Sequence, residues 1–367
     1  MEAQLKRTPL FPCHQESGGR LVPFAGWEMP VQYSGVLEEH RAVRERVGLF
    51  DVSHMGEIGV FGSRALELLQ SATCNDVRKL TPGRIHYTGL MTPRGTFVDD
   101  LLVHKLEEDR YFLVVNAANK AKDYAYLCEQ AAAFDGVEVV DRSGDYAQIA
   151  VQGPMAEQVL QRLTSVALGE IKYYRFVESE VGGIQALIAR TGYTAEDGFE
   201  VYTAPDAAPD LWRALLEAGK AEDIRPCGLA ARDLLRFEGS MPLYGHEIDD
   251  STTPFEAGLG WIVKLDKGPF LGRERLVRQQ AEGVSRRLIG FEMVGRGIAR
   301  QGYPIWHQDR QLGSVTSGSH SPSAGKALGM GYVPPELAEV GTQLEVEIRG
   351  QRVEAVVVAT PFYKRAR

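Results

Sequence analysis

Cysteine is scarce in this sequence: Cys13, Cys74, Cys128 and Cys227 are the only four in 367 residues. They stand too far apart for a disulfide framework, and no CxxC pair offers zinc-ligand spacing, so they read as reduced thiols of a cytoplasmic protein. No apolar run is long enough to span a membrane, and the opening MEAQLKRTPLF lacks the apolar stretch of a signal peptide. A basic stripe is missing too. The net charge of −8 argues against nucleic acid and against an anionic membrane surface as partners. HExxH, GxSxG and GxxxxGK[ST] are all absent, which removes the usual zinc, acyl-transfer and phosphate-loop signatures. The run GRGIARQG imitates a dinucleotide fingerprint but has Arg300 where the last glycine should fall. No metal ion is expected.

What is present is an ordinary globular composition, 44% hydrophobic and 25% charged, long enough for two or three domains. Helical and strand signals mix without regular βαβ alternation over the first three quarters, which indicates the α+β class. Helices are expected over 35–47, 64–71, 118–134, 155–163, 209–218, 229–237 and 273–280. From about residue 285 the texture changes to short β-rich runs with turn residues between them. That pattern suggests a small C-terminal barrel or sandwich.

One strand has an unexpected centre. In GTFVDDLLVHKL the β-formers flank Asp99 and Asp100, and Asp is depleted in strands. Successive side chains point to opposite faces, so the two cannot share a proton as a dyad. Asp99 lies with Phe97, Leu101 and Val103; Asp100 lies with Val98, Leu102 and His104. Each carboxylate therefore needs its own partner: a cation, N–H donors or a ligand.

Other polar stretches break apolar patterns. Glu196 to Gly198, EDG, is a turn signal that puts Tyr193 and Glu200 on opposite arms of a hairpin. Taken alone, Glu200 reads as an exposed residue of an alternating strand. Arg232 and Arg236 share a helical face beside Asp233 and taken alone read as a solvated face with local ion pairs. His54, after FDVS, reads as a hydrogen-bonded structural residue.

In combination these stretches carry more. GWEMPVQY (26–33), FDVSHMGE (50–57), VDDLLV (98–103), VNAANKAKD (115–123), VQGP (151–154), RTGYTAEDGFE (190–200), PCGLAARD (226–233), LYGHEID (243–249) and TSGSHSPSAGKALGMGYV (316–333) resemble, in order, the aminomethyltransferase family, the T proteins of glycine cleavage. The resemblance implies a three-domain cloverleaf around a central folate cavity. Its domains would be 1–50 plus 140–225, 51–139 plus 226–275, and a β-rich, barrel-like 276–367.

It also implies the chemistry: transfer of a methylene carbon from the aminomethyl-dihydrolipoyl arm of H protein to tetrahydrofolate, giving 5,10-methylenetetrahydrofolate and ammonia. Asp100 would be the catalytic carboxylate, stabilising the developing iminium and accepting a hydrogen bond from folate nitrogen ten, while Asp99 would turn away. Glu200 would pair bidentately with the pterin edge. Tyr193, Arg232, Asn116, Tyr173 and Met55 would complete the folate site, and Arg300 would stand where the lipoyl arm enters. The basic run YKRAR (363–367) would meet the glutamate tail or fray in solvent. Two alanines depart from the family pattern: Ala195 in TGYTAE and Ala231 in GLAARD stand where glycine is usual. They need a φ below zero or a tolerated strain. The rival readings are a sibling folate-dependent demethylase and a non-catalytic folate-binding member. The latter branch carries a KGCYxGQE-like segment, and LYGHEID has no cysteine.

Overall fold

A computed structural model describes residues 4–365. Ala366 and Arg367, which end the basic run expected to meet folate, lie outside them. The chain divides into two compact units, each discontinuous in sequence: Met1–Leu69, Val77–Tyr87 and Leu101–Leu235 form one, and Gln70–Asp76, Thr88–Asp100 and Arg236–Arg367 the other.

All seven expected helices form, as Val36–Glu45, Ala65–Ala72, Lys120–Ala131, Ala156–Gln161, Ala208–Ala218, Leu229–Glu238 and Arg273–Glu282. Two sheets draw their strands from separated stretches. A six-stranded sheet runs in the order Phe176–Val181, Ile184–Ala189, Gly198–Thr203, Ala147–Gln152, Gly48–Asp51, Arg225–Pro226. Its last pair is parallel, the rest antiparallel. A five-stranded sheet runs Arg84–Met91, Phe97–Glu107, Arg110–Val115, Gly56–Phe61, Glu138–Asp141. Ile85, Phe112 and Val114 of this second sheet pack on Phe176, Leu187, Ala189 and Tyr202 of the first. The far side of the six-stranded sheet is sealed by Leu160, Leu211, Trp212 and Leu215 from its helices.

In the second unit the β-rich expectation is met by a closed six-stranded barrel, in the order Arg287–Met293, Lys326–Val333, Arg310–Ser321, Pro304–His307, Gln343–Ile348, Gln351–Val358. Pairing of Gly290 with Val358 closes it, leaving no free edge. Phe291, Ile305, Val315, Leu344, Val346 and Val357 fill the interior. Gly329 is required there, because a Cβ would stand 2.2 Å from the Phe291 ring.

The expectation for Arg236 fails. It is 1% exposed, donates to Glu247 at 2.7 Å and to the Ser317 hydroxyl at 2.9 Å, and Glu247 also accepts from Thr316 at 2.7 Å. It is a buried, fully satisfied ion pair that ties the chain after the helix to the barrel, not part of a solvated face. Removing one partner strands the other charge. Arg236→Met should therefore destabilise the protein by about 3–5 kcal/mol, read as a shift in urea midpoint; a loss under about 1 kcal/mol would mean the pair is solvated.

Candidate active site

Glu200 occupies the strand Gly198–Thr203 between two neighbours, opposite Ala189 on one side and Ala150 on the other. It is half-buried, not the exposed strand residue that alternation alone suggests. One oxygen accepts from Gln148 Nε2 at 3.1 Å and the other from the Thr191 hydroxyl. Burial raises its pKa, opposed by Thr191, the charge of Arg232 and Gln148. Each carboxylate oxygen takes about two hydrogen bonds, and each here has one from the protein. The remaining capacity suits a ligand edge with paired N–H donors.

Arg232 comes from the helix Leu229–Glu238, whose Ala231 is fully buried. Its guanidinium stacks on the Tyr193 ring, 4.5 Å from the centroid, a cation–π contact that fixes both. Tyr193 itself corrects the hairpin expectation. The strand before EDG stops at Ala189, and residues 190–197 form an extended connection instead of a tight turn, so Tyr193 is on a loop and not on a strand arm.

Side chains explain why the loop departs. Gln152 donates to the Thr191 carbonyl at 3.0 Å and accepts from the Thr194 hydroxyl at 2.8 Å. Gly192 lies so close that a Cβ would meet Gln152 Oε1 at 1.9 Å. Arg44 donates to the Thr194 carbonyl at 2.6 Å and Arg190 pairs with Asp197. Ala195 sits at φ 61°, the left-handed conformation that the glycine usual in the family would take without strain.

The other expected residues are distributed as follows. Tyr173 is half-exposed, its ring 4.5 Å from that of Tyr174; Tyr174 is pushed up in pKa by burial, then by Tyr173 and Glu200. Met55 packs against the Phe50–Ala231 cluster and the intersheet cluster alike. Asn116 follows Val115, which pairs with Gly56, the residue after Met55, so Asn116 and Met55 stand at one end of the sheet. Glu200, Arg232, Tyr193 and, through Tyr174, Tyr173 are thus joined within the first unit. Asp100 and Arg300 belong to the second. Asp99 is 0% exposed while Asp100 is half-buried, the two-faced arrangement expected of a strand. Arg300 is exposed and donates to the Gly318 carbonyl at 3.4 Å. Among the described residues no group of three His, Cys, Asp or Glu side chains is arranged to hold a metal ion, and no helix is long and apolar enough to cross a membrane.

The sequence matches the GCVT N-terminal domain over residues 10–267 and the glycine cleavage T-protein C-terminal barrel domain over residues 286–364. The chain belongs to the glycine cleavage T-protein family. It is 52% identical over 365 residues to the aminomethyltransferase of Anoxybacillus flavithermus (strain DSM 21510 / WK1), covering 99% of this chain and 100% of that protein. It is 50% identical over 362 residues to that of Desulfitobacterium hafniense (strain Y51), covering 99% of each. The crystal structure of glycine cleavage system aminomethyltransferase T from Bartonella henselae superposes with a TM-score of 0.92 at 35% identity, covering 98% of each chain. The family is one of transferases.

Three features of the site have no signature in the sequence. Gln148 and Thr191, which hold Glu200, carry no motif of their own. The third is the setting of Asp51, whose carboxylate accepts from Thr8 at 2.7 Å, His14 at 2.8 Å and the Ser53 N–H at 2.9 Å. His54 is 2% exposed, edge-on to Phe24, with Nδ1 unpartnered among the described residues. Burial, then the charge of Arg232, pushes its pKa down to about 4. The unfolded chain binds that proton at a pH near 6.5, so stability present above this value is lost as pH falls through about 4, by on the order of 3 kcal/mol. His54→Gln should flatten that decline when urea midpoints at neutral and acid pH are compared; an unchanged slope would mean that folded His54 protonates freely.

Proposed function

We propose that the chain transfers the methylene carbon of an aminomethyl-dihydrolipoyl H protein to tetrahydrofolate, releasing ammonia. The observation that carries this reading is the Glu200 carboxylate, held by one donor on each oxygen beside the Arg232–Tyr193 stack. A carboxylate so fixed can accept two further parallel N–H donors, and the amino-pyrimidinone edge of a pterin presents such a pair. Tetrahydrofolate, when bound, supplies the nucleophilic nitrogens that accept the one-carbon unit. Arg232 favours the ionised form of Glu200, and Tyr193 offers a rigid ring face. Asp100 is assigned the developing positive charge at the reacting carbon, which a preorganised anion stabilises better than water does. Asn116, Tyr173 and Met55 are assigned to line the folate site and Arg300 to meet the lipoyl arm.

Two further readings belong with this one. The three-domain division, 1–50 plus 140–225, 51–139 plus 226–275 and 276–367, is supported by the strand sources: the six-stranded sheet draws only on 48–51, 147–203 and 225–226, and the five-stranded sheet only on 56–141. Cytoplasmic residence is supported by the four cysteines, all free thiols.

Glu200→Gln keeps one acceptor but sets a donor against a donor. Tetrahydrofolate affinity should fall by about 1–3 kcal/mol, roughly tenfold to a hundredfold, with the thermal midpoint little changed; unchanged affinity in calorimetric titration would remove Glu200 from the site. Asp100→Asn should fold and bind folate while losing most turnover, whereas Asp99→Asn, at a fully buried position, should act mainly on stability. Turnover, folate affinity and thermal midpoint of both variants decide this, and an active Asp100→Asn enzyme would sink the assignment.

A further inference from the structure

Glu57 lies in the strand Gly56–Phe61, where its cross-strand partner is Val114, and Val114 in turn pairs with Leu102. Directly opposed residues share a sheet face, so Glu57 projects with Val114 and Leu102 into the apolar layer between the two sheets of the first unit. Gly59, Phe112 and His104 form the next row. Glu57 is 0% exposed, and neither carboxyl oxygen has a hydrogen-bond partner among the described residues. An ionised carboxylate there is costly. Burial accordingly pushes its pKa well above the usual carboxylate range, against the pull of Lys120 and with a further push from Asp141.

The polar groups that the facing sheet turns to this layer include Tyr202 and Gln148, themselves cross-strand partners, and Glu200, two residues from Tyr202 on the same face. Gln148 Nε2 is shared between Glu200 and the Tyr202 hydroxyl oxygen, 3.1 Å to each, while Gln148 Oε1 is buried with no partner among the described residues. Because the Tyr202 oxygen accepts this bond, its own O–H remains available to donate. Tyr202 feels the charges of both Glu200 and Glu57.

We propose that Glu57 is a positioning residue for Glu200: as a neutral acid it leaves the Gln148 amide to Glu200, and on ionising it draws the Tyr202 O–H and that amide toward itself. The inference rests on the reading of Glu200 as the pterin-binding carboxylate. Around Glu57 stand Lys120 from its helix, Asp141 from the adjoining strand, Tyr146 at the mouth of Ala147–Gln152, Tyr202 opposite, and His104 one row along. Both tyrosines are pushed up by burial and stay protonated, and burial drives His104 down to about 3, so it stays neutral. Two carboxyl groups therefore titrate in this layer, Glu200, which holds donors from Gln148 and Thr191, and Glu57, which holds none among the described residues.

The test is the KM for tetrahydrofolate measured with aminomethylated H protein at a series of rising pH values over which the native enzyme stays folded, for the native enzyme and Glu57→Gln. The native KM should rise roughly three- to tenfold with kcat changing less, the size expected for losing one donor to a carboxylate. Glu57→Gln, which cannot ionise, should hold a flat KM. Ionisations of the folate are common to both proteins, so their difference isolates Glu57. A native KM that does not rise, or a variant that rises in parallel, overturns the proposal while leaving the function intact. Should Glu57→Gln not fold, Tyr202→Phe, which removes the hydroxyl that Gln148 also bonds, should likewise flatten the rise, and an undiminished rise overturns the proposal. Native enzyme with no folate-dependent turnover at any pH brings down the functional reading and this inference together.

Discussion

Ionisable groups set into the apolar layer between two sheets govern this structure, because each must be given donors or lose its charge. For Glu200 those donors come from two places. Strand register brings Gln148 opposite Tyr202, next to Glu200, and the loop 190–197 brings Thr191. The loop holds its course only because Gln152, Arg44 and Arg190 fasten it. The same loop carries Tyr193 onto Arg232. The carboxylate, its orienting donors and the aromatic face are therefore one assembly, and loosening the loop loosens all three.

Three carboxyl groups of the first unit, Asp51 and Glu57 buried and Glu200 half-buried, show what decides their state. Burial is the leading influence on each. Asp51 has three donors, among them His14, and they outweigh burial, so its pKa ends below the ordinary value. Glu200, with Gln148, Thr191 and the nearby Arg232, ends above it. Glu57, with no hydrogen-bonded donor among the described residues, ends well above. The donor count orders the three, so one residue chemistry yields a carboxyl held below, one held above and one held well above the ordinary range.

Much of this was legible in the sequence. Helices with an apolar stripe were found because their periodicity is local, and the C-terminal barrel was found because its short strands alternate between turn residues. The six-residue helix Phe11–Glu16 was not, since what holds it is the contact of His14 with Asp51, 37 residues away. Pro304–His307, a four-residue strand opening on proline, has the sequence of a loop. Arg236 reads as part of a solvated face because its partners Glu247 and Ser317 lie beyond the helix. Glu200 could be named only through its motif context: the residues that keep it half-buried, Gln148 and Thr191, have no signature. EDG is a good turn signal, yet the loop around Tyr193 is not a tight hairpin, because tertiary hydrogen bonds override it.

The central claim is that this chain passes a carbon unit to folate through anions prepared in advance. Aminomethylated H protein carrying a labelled methylene carbon, incubated with the enzyme with and without tetrahydrofolate, tests it most directly. The account predicts ammonia release that depends strongly on tetrahydrofolate, with the label recovered in methylenetetrahydrofolate in step with the ammonia. Equal ammonia release without folate, or label that never reaches it, would contradict the account.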